Sequence, residues 1–379
     1  MAKIKESDLK LVIFIGHFKT GSTSIQSFLS SNYLRMLQAG ILYPSVDSKG
    51  IARNLRVAIS GKDMPTLGES LNIIEPHNAL ALKLKNEEDQ HGVPSYYPHL
   101  PSGFQMFEMI ENQISDLNPH SVIICSEVFA LLGLTEQRKS IERLAKRFAK
   151  YDVTIYCNLR RPDEYISSWH RQRLKFGAKI GKLSDNALEE YLDTAHFQQD
   201  KLIEGWIRDY FFDSKLVVRN FDEVKAAGGA VKDFIKQSEI PFPEDIDFPE
   251  NQNPSVPCAF AEIGRRGLHD LPRKEARQLV GWLASGKARH AIPHPTDNEI
   301  EMFGPENREI LLNKFRPIAE RLNEITKVRP FYHDLEDFGR CRSIPEAEAV
   351  EAIFSELVQE ANLQKLPKPI TDWLENWKH

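Results

Sequence analysis

Leu11-Val12-Ile13-Phe14-Ile15-Gly16-His17-Phe18-Lys19-Thr20-Gly21-Ser22-Thr23-Ser24-Ile25-Gln26 is the stretch on which the reading of this chain turns. Its first five residues form an unbroken apolar run, as expected of a strand buried on both faces of a parallel sheet. Ile25, Phe28 and Leu29 then fall at the i, i+3, i+4 spacing of one helical face. Gly16 and Gly21 permit a tight backbone between the two elements. A helix that begins there directs unpaired N–H groups and its positive dipole end into the loop, which suits the loop to hold a phosphate or a similar anion.

The loop comes close to a Walker A sequence and departs from it at the lysine. Walker A places Lys directly after the second glycine and then Ser or Thr as a magnesium ligand. Here Ser22 and Thr23 follow Gly21 and the lysine lies earlier, at Lys19. That order carries the amine over the loop toward a terminal bridging oxygen and leaves no hydroxyl in the usual metal-holding position. The core Lys19-Thr20-Gly21-Ser22-Thr23 resembles the 5′-phosphosulfate loop of the sulfotransferases that use 3′-phosphoadenosine 5′-phosphosulfate (PAPS), carbohydrate and bacterial types included. The resemblance implies a P-loop-type α/β fold, PAPS as co-substrate and no required metal.

Further along, Val153 to Leu159 reads as another buried strand, ending in Arg160-Arg161-Pro162 and followed by a helix with Tyr165, Ile166 and Trp169 on one side. Ser168 lies eight residues after Arg160. In the sulfotransferases an arginine at this strand end and a serine eight residues on grip the nucleotide 3′-phosphate, and Arg160 and Ser168 are similar in type and spacing. A guanidinium fork and a hydroxyl also suit phosphate oxygens on chemical grounds. Arg161 is the alternative grip if the strand register moves by one. A later segment, Tyr210-Phe211-Phe212 through Val224, looks like the later strand of glycan sulfotransferases. Gly264-Arg265-Arg266-Gly267 invites comparison with the Arg-Lys-Gly element that closes over the 3′-phosphate in cytosolic members, but its flanking residues match poorly and an exposed basic turn explains it.

Sulfuryl transfer to a hydroxyl needs a base, and two candidates stand. Ser121-Val122-Ile123-Ile124-Cys125 is a third buried strand, so Glu127 just beyond it opens at the carboxyl edge of the sheet, where ligands of such folds bind. Several glycan sulfotransferases use a glutamate, which favours Glu127. His17 is the rival, two residues before Lys19; Lys19 itself suits the leaving group. His170 reads as packing or surface. Between Tyr43 and Gly103, prolines, glycines and histidines interrupt the pattern, and this insertion, 44–104, is expected to be irregular and to receive the acceptor.

The remaining patterns complete an α/β reading. Helices are expected over 136–150 and around Val231, Phe234 and Ile235, with a short strand at Leu216 to Val218. Pro241 to Pro257 is a proline-rich break. Beyond it, Leu311, Phe315, Ile318, Leu322 and Ile325 mark a helix kinked at Pro317, and Val350, Ile353, Phe354 and Leu357 mark another. The expected architecture is a three-layer core with a central, mainly parallel sheet over 1–240, and a helical C-terminal extension over 241–379 packed on it as one domain.

The chain has 379 residues, with 54 acidic against 49 basic ones, so its net charge of −5 gives no reason to expect nucleic acid. No apolar signal core or membrane-length window appears, which points to a cytoplasmic location. The four cysteines lack any Cys-Xaa-Xaa-Cys pair and read as reduced thiols. His290 and His294 have metal-compatible spacing but sit beside Pro293 and read as a loop. The expected partner is a hydroxyl-bearing glycan or small molecule; the oligomeric state is open. Two other classes stay open: an ATP-dependent small-molecule or sugar kinase, which the displaced lysine opposes, and a catalytically silent nucleotide- or glycan-binding protein.

Overall fold

In the computed structural model, the described residues are 5–60, 75–97, 99–136, 138–211, 213–248 and 256–377. Parts of the 44–104 insertion, Phe212 and most of the second half of the proline-rich break lie outside them. The chain is α/β. Five strands form one parallel sheet in the order β2-β3-β1-β4-β5, where β1 is Lys10–Gly16, β2 Ile41–Leu42, β3 Ser121–Cys125, β4 Asp152–Leu159 and β5 Lys215–Asn220. All the expected strands are present, and β1 is central, with Leu11 paired to Val122 on one side and Val153 on the other.

Alternation along β1 explains its unbroken apolar run, because both faces are covered. Val12 and Phe14 join one core with Ile25, Phe28 and Leu29 from the Ser22–Ser31 helix and Phe234 from the Ala230–Ser238 helix. Leu11, Ile13 and Ile15 point the other way and are equally buried. Five parallel strands need helical crossovers, and the helical segments between them supply these.

Two compact units divide the chain. The first holds Met1–Arg161, Gln198–Gln252 and Ala319–Phe331, and contains the whole five-stranded sheet. The second holds Pro162–Phe197, Asn253–Ile318 and Tyr332–His379. The expected boundary near 240 therefore lies close to one division. Two segments depart from the expected division: Pro162–Phe197 gathers with the C-terminal part, and Ala319–Phe331 gathers with the core.

The second unit is mainly helical, with a two-stranded parallel ladder of β6 (Ile300–Glu301) and β7 (Ile344–Pro345). Buried Arg308 holds it together locally, donating to Asp163 at 3.0 Å and to Glu301 at 2.7 Å, while Arg342 reaches the same Asp163 at 3.1 Å. The Gly304–Thr326 helix carries the expected stripe and runs through Pro317. The second expected stripe lies on the Glu346–Leu363 helix.

The 44–104 region departs from its expected irregularity. It contains a helix at Ser48–Ser60 and another at Pro76–Asp89. Pro76 misleads as a breaker because it stands at the first helical turn, where its missing N–H costs nothing and its φ is already helical. Glu75 caps that helix by accepting from His77 N. Among the described residues, no helix is long and apolar enough to cross a membrane, and all four cysteines are free.

Candidate active site

At the end of β1 the backbone turns left-handed three times, at Gly16 (φ +103°), Lys19 (φ +58°) and Gly21 (φ +87°). Gly16 is needed twice over: a Cβ there would stand 2.8 Å from the Glu127 Cα. Gly21 caps the Ser22–Ser31 helix, and a Cβ there would lie 2.4 Å from that of Ala230. Thr20 Oγ1 donates to the His17 carbonyl at 2.5 Å and closes the turn, so buried Thr20 shapes the loop from within. Asn158, a polar residue inside apolar β4, fixes the loop from below: its carbonyl accepts from His17 N at 2.9 Å and its amide donates to the Thr20 carbonyl at 3.4 Å.

The helix start is open, as a helix N-terminus must be. Ser24 N is the first amide to reach back to the Gly21 carbonyl, at 3.0 Å, and among the described residues the amides of Gly21, Ser22 and Thr23 find no backbone acceptor. An anion placed there would meet three N–H groups and the positive end of the dipole.

Glu127 lies against this loop. β3 delivers it to the carboxyl edge, and its Oε2 accepts from Gln26 Nε2 at 3.0 Å, with Ser22 hydrogen-bonded to it as well. Burial pushes the Glu127 carboxyl above its ordinary range, and the bonds from its own backbone N–H, Gln26 and Ser22 pull back part of that rise. The second proton of the Gln26 amide goes to Asn78 Oδ1 at 3.1 Å, which also accepts from Ser126 Oγ at 2.6 Å. Behind them, His77 Nδ1 accepts from Cys125 N at 3.1 Å. Burial lowers the His77 pKa to about 3, so the ring is neutral and its 3.7 Å approach to Glu75 is not an ion pair. Glu75 accepts from Tyr43 OH, and burial pushes its carboxyl up to about 8.

Arg160 closes β4, and its guanidinium lies 5.6 Å over the ring of Phe221, the residue that follows β5. The same ring would be 3.9 Å from a Cβ on Gly21, so Phe221 neighbours both Arg160 and the loop. The fold thus assembles Lys19, Thr20, Gly21, Ser22, Thr23, Glu127 and Arg160 at one edge of the first unit. Lys19 and Thr23 are half-buried there, and Arg161 is buried. His17 is buried completely. Ser168 belongs to the second unit, buried on the Pro162–Lys175 helix, so it is not placed with Arg160 in one unit.

Two further expectations resolve within the second unit. His170 is packing: its Nδ1 bonds Tyr191 OH at 2.8 Å and burial lowers its pKa to about 3. Gly264-Arg265-Arg266-Gly267 is not a turn but the middle of the Cys258–Asp270 helix. Arg265 donates to Glu262 at 2.6 and 3.0 Å, and Arg266 donates to the same carboxylate at 2.8 Å. These i, i+3 and i, i+4 pairings follow from helical spacing and spend both guanidiniums on one carboxylate.

The residues that sequence reading missed are polar ones inside apolar patterns: Asn158 in β4, Gln26 on the buried face of the first helix, and Glu75, His77 and Asn78 at the start of another helix. A signal existed for Asn158, since an amide in a buried strand must be hydrogen-bonded and so marks something it holds. No family model, no curated protein and no solved structure matches the chain.

Proposed function

We propose that the chain is a sulfotransferase of P-loop type that moves the sulfuryl group of PAPS to a hydroxyl, on a carbohydrate acceptor. One observation carries the reading: Lys19-Thr20-Gly21-Ser22-Thr23 turns left-handed between a central parallel strand and an open helix start, with Glu127 against it. The residues fit the group. Amides of Gly21, Ser22 and Thr23 would hold the 5′-phosphosulfate, and Arg160 the 3′-phosphate. Lys19 would neutralise charge that develops on the bridging oxygen.

In that reading Glu127 takes the proton of the acceptor hydroxyl while its oxygen bonds sulfur, and the bond from sulfur to the phosphate oxygen breaks to release adenosine 3′,5′-bisphosphate. A carboxylate raised by burial is a stronger base than an exposed one, provided it is ionised at the working pH. His17, being buried, is left to shape the loop. Glu127→Gln is then expected to keep bisphosphate affinity and lose transfer.

Thermal stabilisation tests the assignment. A ligand at about a hundred times its Kd adds about 2.7 kcal/mol. Adenosine 3′,5′-bisphosphate without metal is expected to stabilise the protein and ATP with magnesium is not; the reverse result would transfer the site to a kinase. Stabilisation by neither would remove the nucleotide reading.

A further inference from the structure

Beside Glu127, still within the first unit, the 44–104 insertion encloses a cavity of about 220 Å³ lined by Lys49, Arg53, Glu75, Tyr96, Tyr97 and His99 among others. This is less than the roughly 300–1,000 Å³ of drug-sized sites, and leaves room for one ring. Three observations describe what it would hold. First, Tyr96 and Tyr97 form an aromatic wall, their centroids 4.8 Å apart; Tyr96 is 42% exposed and Tyr97 is buried. Exposed aromatic faces of this kind suit the apolar faces of sugar rings.

Second, Glu75 is 1% exposed, lines the cavity, and has one oxygen, Oε2, with no hydrogen-bond partner among the described residues. Its other oxygen is taken by Tyr43. A buried polar atom left in this state is a hydrogen-bonding position that a ligand in the cavity can fill. Third, the lining sets two basic side chains, Lys49 and Arg53, against two acidic ones, but burial raises the Glu75 carboxyl to about 8, so near pH 7 it is protonated, and only Asp47, whose Oδ1 is engaged at 2.6 Å by Gly50 N at the start of the Ser48–Ser60 helix, carries a negative charge there. The basic surplus favours an anionic substituent. The cavity is also within electrostatic reach of the reaction: the charge of Glu127 acts on both Glu75 and Tyr96.

We infer that this cavity binds the acceptor, and that the acceptor is a single saccharide ring bearing an acidic group, with the ring on Tyr96, the acid at Arg53 and Lys49, and a ring hydroxyl at Glu75 Oε2. The word acceptor rests on the sulfuryl-transfer reading; the acidic-saccharide site does not. Nothing in the five-stranded core specifies this chemistry, since every lining group comes from the insertion.

Calorimetric titration with methyl β-glucuronide, methyl β-glucoside and benzoate separates the possibilities. The glucuronide is expected to bind about tenfold or more tightly than either, as an arginine-to-carboxylate bond implies. Arg53→Gln is expected to erase the preference over the glucoside, and Arg53→Lys to keep part of it if the glutamine variant does not fold. Tyr96→Ala, at a half-exposed position, is expected to weaken both sugars with an unchanged melting curve. Equal binding of glucuronide and glucoside, preference for benzoate, or no binding of any probe would each overturn the inference. Bisphosphate binding without glucuronide binding would reject this site and spare the sulfotransferase reading; glucuronide binding without bisphosphate binding would do the opposite.

Discussion

Two glycine-framed basic segments, Gly16 to Gly21 around Lys19 and Gly264 to Gly267 around Arg265 and Arg266, look alike in composition and differ in every physical respect. In the first, both glycines and the lysine have positive φ, the backbone leaves a strand and opens a helix, and among the described residues the amides of Gly21, Ser22 and Thr23 have no backbone acceptor. In the second, the glycines lie inside a helix, where every interior N–H is used, and the arginines are bound to Glu262. Gly267 lets Leu279 of the neighbouring helix approach, since a Cβ there would be 2.4 Å from its Cδ2. Glycine beside a cation therefore opens backbone amides to an anion only where the glycine turns the chain; inside a helix it lets a neighbouring helix pack close.

The largest test of this contrast is charge removal. Lys19→Ala is expected to lower the turnover of PAPS by about 10²–10³-fold, as for loss of one group that stabilises developing charge, while Arg265→Ala leaves turnover within a factor of about two. Steady-state rates with an acidic saccharide acceptor decide it, and equal losses in the two variants would erase the distinction.

Next in size is backbone strain. Gly21→Ala is expected to destabilise by about 1–3 kcal/mol, because alanine must adopt positive φ and its Cβ would collide with Ala230. Urea unfolding measures this, and a wild-type midpoint would show that left-handed backbone is not what makes the first loop special.

Glu75 gives a pH test beside the loop. Its folded pKa, about 8, lies above the ordinary 4.5, so the native state binds the extra proton between those values. Stability then falls as pH rises from about 4.5 to about 8, by at most about 1.4 kcal/mol per pH unit. Glu75→Gln keeps an acceptor for Tyr43 and is expected to flatten that slope; an unchanged slope would mean that another group carries it.

The smallest effect has the opposite sign. Gly264→Ala places a Cβ at ordinary contact, 3.5 Å from Leu283 and 3.6 Å from Val280, in a helix interior. It is expected to stabilise by about 0.5–1 kcal/mol. Thermal melts of Gly21→Ala and Gly264→Ala side by side sharpen the comparison, since the same substitution is expected to move them in opposite directions.

Much of this was legible in local pattern. The apolar runs at Leu11–Ile15, Ser121–Cys125 and Val153–Leu159 specify buried strands because parallel strands lose solvent on both faces, and all three sit side by side in the sheet. Gly16 and Gly21 are readable as turn positions for the same reason they are needed, the lack of a Cβ. Pro76 and the 264–267 segment were less legible: a proline at a helix start and a glycine at a helix contact carry the same letters as breakers.

By itself, the sequence determined the α/β class, the strand-loop-helix around Lys19, and the position of Glu127 and Arg160 at strand ends, because periodicity and steric freedom act over a few residues. Only the tertiary structure decided that Gln26, Asn78 and Glu127 share one buried network, that Asn158 holds the loop, that Ser168 falls in another unit than Arg160, and that Glu75 faces a cavity. The hydrogen bonds among them join residues 52, 101 and 138 positions apart, and they follow from the strand order, which sets which buried polar groups must satisfy one another.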